Sequence, residues 1–487
     1  MLTCRPADET EPQFFGCLCH SPAYARLNAL MEQKFSRRSF LTGAAAVIGT
    51  AALWPEQASA AIPDAPKGPV VFTNVKLFDG KSNQLIEGRT IIVEGNKIKA
   101  VEAAGTQAPE GATVIDGGGR TLMPGLIDAH WHSMLAAISI VDLLTADVGY
   151  INLVAAEEAR RTLMRGFTSI RDLAGPSFGL KRAIDSSLTP GPRIWPSGAM
   201  ISQTSGHGDF RMPYEVPAQI DAPLSRGEAL NAGVLADGVD QMLKRTREQL
   251  MLGASQIKLA AGGGVASNFD PIDVSQYTEA EFRAAVDCAE NWGTYVTVHA
   301  YTPRAIQAAI RGGVRCIDHG QLMDEQTAKI MADKGIWFSS QAFLDNEFAN
   351  RYPDGSANRA KQLTMFAGTD TAYGLAKKYK LKTAWGTDIL HDPAAAKNQG
   401  AILGTMSRWY SNDEILIMAT GTNAQLLAMS GLRNPYPEKL GVIEAGAYAD
   451  MLLVDGDPIS DIKLIADPEK NLKIIMKDGR IYKNTLA

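Results

Sequence analysis

Met123-Pro-Gly-Leu-Ile-Asp-Ala-His-Trp-His132 joins a proline-glycine turn to a short apolar run and ends on two histidines spaced two apart. Side chains at i and i+2 of a strand leave the same face, so His130 and His132 can converge on one ion. Imidazole is a common ligand of zinc-like ions, and Asp128 adds a carboxylate on the same stretch. A parallel strand that delivers ligands from its C-terminal end is the arrangement of an α/β barrel.

Strand candidates downstream alternate with helical patterns: Gly125–His130, Thr168–Asp172, Arg193–Ser197, Gln256–Ala260, Tyr295–Ala300, Cys316–His319, Trp337–Gln341 and Thr383–Asp388. Alternation of this kind marks parallel β/α units, and eight strands close a TIM-type (β/α)8 barrel. Thr278-Glu-Ala-Glu281 reads as a capping box, and Thr302-Pro303 places proline at a first helical position. Before the barrel, short alternating runs from Gly68 to Leu122 are separated by Asp79-Gly80, Glu94-Gly-Asn96 and Asp116-Gly-Gly-Gly119, as in a small antiparallel sheet. The same rhythm returns from Gly441 to Tyr482. The expected organisation is thus a small β-sandwich formed by both chain ends, residues 66–122 and 431–487, flanking a barrel at 123–430.

Residues 1–60 read differently. Ser36-Arg-Arg-Ser-Phe-Leu-Thr42, the apolar run Gly43–Leu53 and Ala58-Ser-Ala60 have the layout of a twin-arginine-type export signal, too short in its apolar part to anchor permanently. Met31 then suits a translation start, with residues 1–30 as an upstream extension. The expectation is an exported, periplasmic or secreted protein with no membrane association after cleavage. The net charge of −5, without a basic stripe, argues against a nucleic-acid partner. Cys4, Cys17 and Cys19 crowd into the tail, and Cys288 and Cys316 sit in apolar elements, so the cysteines form no disulfide framework.

The unusual polar residues fall together. His130, His132, Lys258, His299, His319 and Asp388 each lie at or just past the end of a strand candidate, on the face where barrel active sites are built. The stretch 123–132 resembles the opening signature of the metal-dependent amidohydrolase superfamily, and Gln256-Ile-Lys-Leu-Ala260, Val298-His-Ala300, Asp318-His-Gly320 and Trp385-Gly-Thr-Asp388 are similar to its later metal motifs. Gln256–Ser267, Val298–Thr302, His319–Asp324 and Thr204-Ser-Gly-His-Gly-Asp209 look most like its Xaa-Pro dipeptidase and carboxypeptidase branch, which includes amidohydrolases that degrade ochratoxin A.

That resemblance implies two divalent metal ions, with zinc the first expectation. His130, His132 and Asp388 would hold one, His299 and His319 the second, and an N6-carboxylated Lys258 would bridge them. An ammonium repels a cation, whereas a lysine carbamate is an anion with two ligand oxygens. A hydroxide shared by the ions would attack an amide carbonyl, with Asp388 as general base and then acid. The implied substrates are small: N-acyl amino acids or dipeptides, ochratoxin A among them. His207 and Tyr301 match substrate-contacting residues of the branch, Arg211 suits a carboxylate clamp, and the relatives are often homo-oligomers, octamers included. His391 stays outside the metal set, and Gly262-Gly-Gly264 lacks the ending of a phosphate loop. A cyclic-amide, imidazolonepropionase-like hydrolase is the alternative; such relatives lack the bridging lysine.

Overall fold

Apolar runs of three to nine residues, punctuated by glycine and aspartate turns, build the strands here. The computed structural model describes residues 62–216, 223–349 and 351–486, and the expected export signal, with Cys4, Cys17 and Cys19, lies outside them. β1 (Val70–Leu77), β2 (Ile86–Glu94) and β3 (Lys97–Ala103) form an antiparallel meander, while β4 (Thr113–Asp116) and β5 (Thr121–Pro124) run parallel to β1.

Eight further strands follow a chain-order path through a barrel. β6 (Leu126–Trp131), β7 (Phe167–Asp172) and β8 (Arg193–Pro196) pair in parallel. Two short strands outside the expected eight, β9 (Met200–Ser202) and β10 (Gly233–Leu235), pair alongside. β11 (Ile257–Ala260), β12 (Val296–Ala300), β13 (Cys316–His319), β14 (Trp337–Ser340) and β15 (Lys382–Trp385) complete the parallel set. Helices occupy the connections, giving a TIM-barrel-like α/β fold. The Thr278 hydroxyl accepts from the Glu281 N–H as the Glu281 carboxylate accepts from the Thr278 N–H, so the capping box starts the helix Glu279–Asn291. Pro303 opens the helix Pro303–Arg311.

The seams explain why the last strand is shorter than its sequence suggests. Ladder pairing of β15 stops at Trp385, after which Gly386 turns against His130 and the Asp388 N–H donates to the His130 carbonyl at 2.8 Å. Between β8 and β11 the Ser255 N–H bonds the Pro196 carbonyl at 2.7 Å, and the Gln256 amide bonds that of Trp195 at 2.9 Å.

The chain then returns to the first sheet. β16 (Met451–Val454) pairs antiparallel with β5, followed by β17 (Leu472–Lys477) and β18 (Arg480–Asn484), so both ends share one eight-stranded sheet. Phe72, Ile91, Leu122, Leu453 and Ile474 belong to a core of their own there, separate from the main barrel core. Met123 and Pro124 pair with Leu452 and Met451, so the expected boundary at 122/123 cuts through β5. Among the described residues no helix is long and apolar enough to cross a membrane.

Candidate active site

Parallel strands present their C-terminal ends on one side of the barrel, and the polar residues singled out from sequence meet there. His130, His132, Lys258, His299, His319 and Asp388 line a single cavity together with His207 and Tyr301. Asp388 is the hub. Its Oδ1 lies 3.0 Å from His130 Nε2 and 2.9 Å from His132 Nε2, and its Oδ2 lies 3.9 Å from His319 Nδ1. The imidazoles form a continuous series, with ring centroids 5.4 Å apart for His132–His130, 4.9 Å for His130–His319, 4.5 Å for His319–His299 and 4.0 Å for His299–His207.

Asp388 and His319 hold left-handed backbone, at φ 55° and 76°, which costs free energy in a non-glycine residue and is concentrated at functional sites. Hydrogen bonds hold them there. Gln341 stands between two rings, accepting at 2.7 Å from His319 Nδ1 and lying 3.3 Å from His130 Nδ1. Asp128, within β6, accepts from the His130 and Thr387 N–H groups, the Thr387 hydroxyl and the Gln399 amide, tying the Asp388 loop to the first barrel strand.

Burial sets the protonation of this group. It pushes His130 down to about 4, only partly opposed by Asp388, and His319 down to about 3. His299 is lowered by burial and by the neighbouring His207. These rings are therefore neutral at neutral pH, and a neutral imidazole keeps one lone pair that an ion can take. Burial raises Asp388, but His130 and the hydrogen bonds from His130 and His132 more than offset it, leaving the carboxyl well below the usual range.

Donor chemistry fits a divalent cation. Ligand atoms of His130, His319 and Asp388 lie within 4.8 Å of one another, and the buried His132 Nδ1 has no hydrogen-bond partner. His132 joins this trio through Asp388, its Nε2 standing 2.9 Å from Asp388 Oδ1. Lys258 reaches the cavity, and its Nζ donates to Asp318 Oδ2 at 2.6 Å.

The expected substrate contacts divide. Tyr301 lies 4.8 Å from the His299 ring centroid, and burial pushes its hydroxyl well above the usual range, so it remains a phenol able to donate. His207 stacks on His299, its Nδ1 2.8 Å from the Ser267 hydroxyl. Arg211 is not brought to the cavity lining. Asp209, two residues earlier, takes its guanidinium at Nε (2.8 Å) and Nη2 (2.6 Å), which corrects the carboxylate-clamp expectation. Phe343, Phe348, Tyr352, Met365 and Phe366 line the same cavity, an apolar wall that periodicity does not reveal. Asp318 and Gln341 also escaped the sequence reading; a carboxylate inside the apolar run Cys316-Ile-Asp318 was the available signal, since buried charge requires a partner.

Known proteins resemble this chain over most of its length. The ochratoxinase of Aspergillus niger is 30% identical over 372 residues, covering 74% of this chain and 75% of that protein. A solved amidohydrolase superposes with a TM-score of 0.78 at 36% identity, covering 86% of this chain and all of that one. A prolidase solved with N-methylphosphonate-L-proline gives 0.78 at 33% identity, and a Xaa-Pro dipeptidase with bound methionine 0.72 at 26%, each over 86% of this chain and 100% of the other. The pattern of the amidohydrolase family matches residues 121–482, from the last strand before the barrel into the final strand of the shared sheet, and the chain belongs to that family.

Proposed function

We propose that this metal-dependent hydrolase of amide bonds cleaves N-acyl amino acids or dipeptides in a carboxypeptidase- or dipeptidase-like manner, ochratoxin A being one substrate to try. The observation that carries the reading is the gathering of four histidines, Lys258 and Asp388 around one apolar-lined cavity at the strand ends. Support comes from the prolidase, dipeptidase and ochratoxinase likenesses.

His130, His132, His299, His319 and Asp388 would hold two divalent ions, zinc by preference, with Lys258 as the bridging carbamate. Bound there, such ions supply a water of lowered pKa and a Lewis acid for the carbonyl. The chain does the rest. Asp388, ionised and hydrogen-bonded to two imidazoles, takes the proton of the attacking water and returns it to the leaving amine. Tyr301 offers a phenolic O–H, and His207 a ring pinned by Ser267, to the substrate's carboxylate end. The apolar side chains lining the cavity lower the polarity around these contacts, which strengthens each of them. Around this centre we read the shared sheet as a small sandwich on the barrel, residues 1–60 as the extension and twin-arginine-type leader of an exported enzyme, and the assembly as a homo-oligomer.

The test combines elemental analysis of the purified protein with hydrolysis of an N-acyl amino acid panel. About two ions per chain are expected, with activity abolished by chelation and restored by zinc. Asp388→Asn should lose about a thousandfold in kcat while Lys258→Ala loses one ion. Full activity after exhaustive chelation, or in Lys258→Ala, overturns the two-ion reading.

A further inference from the structure

In the barrel interior two charged residues that the mechanism above does not use, Arg171 and Asp318, meet Lys258. Arg171, Asp318 and Lys258 are 0%, 0% and 2% exposed. The Arg171 guanidinium is fully engaged: Nε donates to the Ala129 carbonyl at 2.6 Å, Nη1 to the Tyr295 hydroxyl at 3.1 Å, and Nη2 to Asp318 Oδ1 at 2.7 Å and the Ser339 hydroxyl at 2.9 Å. These partners come from four other places around the barrel, so the arginine cannot follow a moving carboxylate. The other Asp318 oxygen accepts from the Thr297 hydroxyl at 2.8 Å and from Lys258 Nζ at 2.6 Å.

Arg171 and Lys258 both pair with Asp318, so the trio carries one cation more than it has anions, where burial of net charge is expensive. Carboxylation reverses the sign of that excess. The lysine ammonium and carbon dioxide give a carbamate and two protons, which pass to solvent; an N–C bond forms, two N–H bonds break, and one N–H remains. The carbamate is planar, so a partner for that one hydrogen fixes where its two oxygens point.

We propose that Asp318, clamped by Arg171, is a positioning residue for the carboxylation of Lys258, accepting the lysine nitrogen's hydrogen bond before and after the reaction. With the N–H aimed at Asp318, the carbamate oxygens face away from the barrel floor, toward the cavity that His130 and His319 line. Arg171 makes the arrangement affordable, since without it two anions would stand in contact. The inference rests on the carboxylated lysine of the proposed function.

The experiment uses zinc-loaded protein carrying 15N-lysine and equilibrated with 13C-bicarbonate, read by NMR. Wild type should show a 13C carbamate signal that Lys258→Ala lacks, coupled to a strongly downfield N–H proton. In Asp318→Asn, Arg171 retains the amide oxygen and turns the NH2 toward lysine, donor against donor. Carbamate occupancy at a fixed carbon dioxide level should then fall at least tenfold. If Asp318 served only as the ammonium's ion partner, its loss would leave the carbamate unchanged or increase it, and either result overturns the proposal. Should Asp318→Asn not fold, the wild-type proton decides, because a carbamate N–H at the shift of a free alkyl carbamate also overturns it. No carbamate in wild type refutes the underlying two-ion reading instead, and this inference with it.

Discussion

His391 shows how burial of one side chain becomes a pH dependence. Its Nδ1 donates to the Ile138 carbonyl at 3.0 Å, while its Nε2 is buried without a hydrogen-bond partner. Burial, only partly opposed by the Ile138 bond, pushes its pKa down to about 4 from 6.5. A depressed folded-state pKa means that protons bind the unfolded chain more readily. The stability involved is present above pH 6.5 and is lost as pH falls through 4, a difference of about 3 kcal/mol. His391→Asn removes the titration and suits the φ of 55° at this position, which asparagine tolerates better than most residues. Urea unfolding of metal-free protein at pH 7 and pH 4 should show the variant losing about 3 kcal/mol less than wild type. Equal losses would place the acid sensitivity elsewhere.

At the scale of elements, the site depends on how closely the end of β15 approaches β6. A Cβ on Gly386 would stand 2.3 Å from the His130 backbone nitrogen and 2.8 Å from its Cα, atoms that cannot yield without moving the strand. Gly386→Ala should therefore push Asp388 off His130 and His132 and weaken zinc binding at least tenfold in an indicator titration. Gly404, in the helix Gln399–Gly404, has open space where its Cβ would be, so Gly404→Ala should leave zinc affinity unchanged. Similar losses in both would make the effect one of general stability. This dependence explains what the sequence could disclose. The expected metal donors lie in or just past short apolar strands, so strand pattern together with the family resemblance could point to them. Arg171, Asp318 and Gln341 act through contacts across the barrel, 147 residues apart for Arg171 and Asp318, which no local pattern encodes. Arg211 misled for the opposite reason, its partner being a near neighbour, Asp209.

For the whole molecule the question is what closes the barrel, because no backbone ladder joins β15 to β6. Asn423 does so with its side chain. Its Nδ2 donates to the Ile127 carbonyl at 2.7 Å and the Trp385 carbonyl at 2.8 Å, and its Oδ1 accepts the Trp385 N–H at 3.0 Å. A π-helical turn, Met418–Thr422, places it there; such turns are rare and cluster at functional positions. Asn423→Leu keeps the volume but strands two buried carbonyls and a buried N–H. At about 1–3 kcal/mol for each unpaired group, the loss should reach about 4 kcal/mol in urea unfolding. Since the same seam carries His130 and Asp388, zinc should bind the variant more weakly, and saturating zinc should recover part of the lost stability by favouring the closed barrel. A barrel held shut by apolar packing alone would lose less than 1 kcal/mol in Asn423→Leu and keep its zinc affinity, and the metal site would then owe nothing to Asn423.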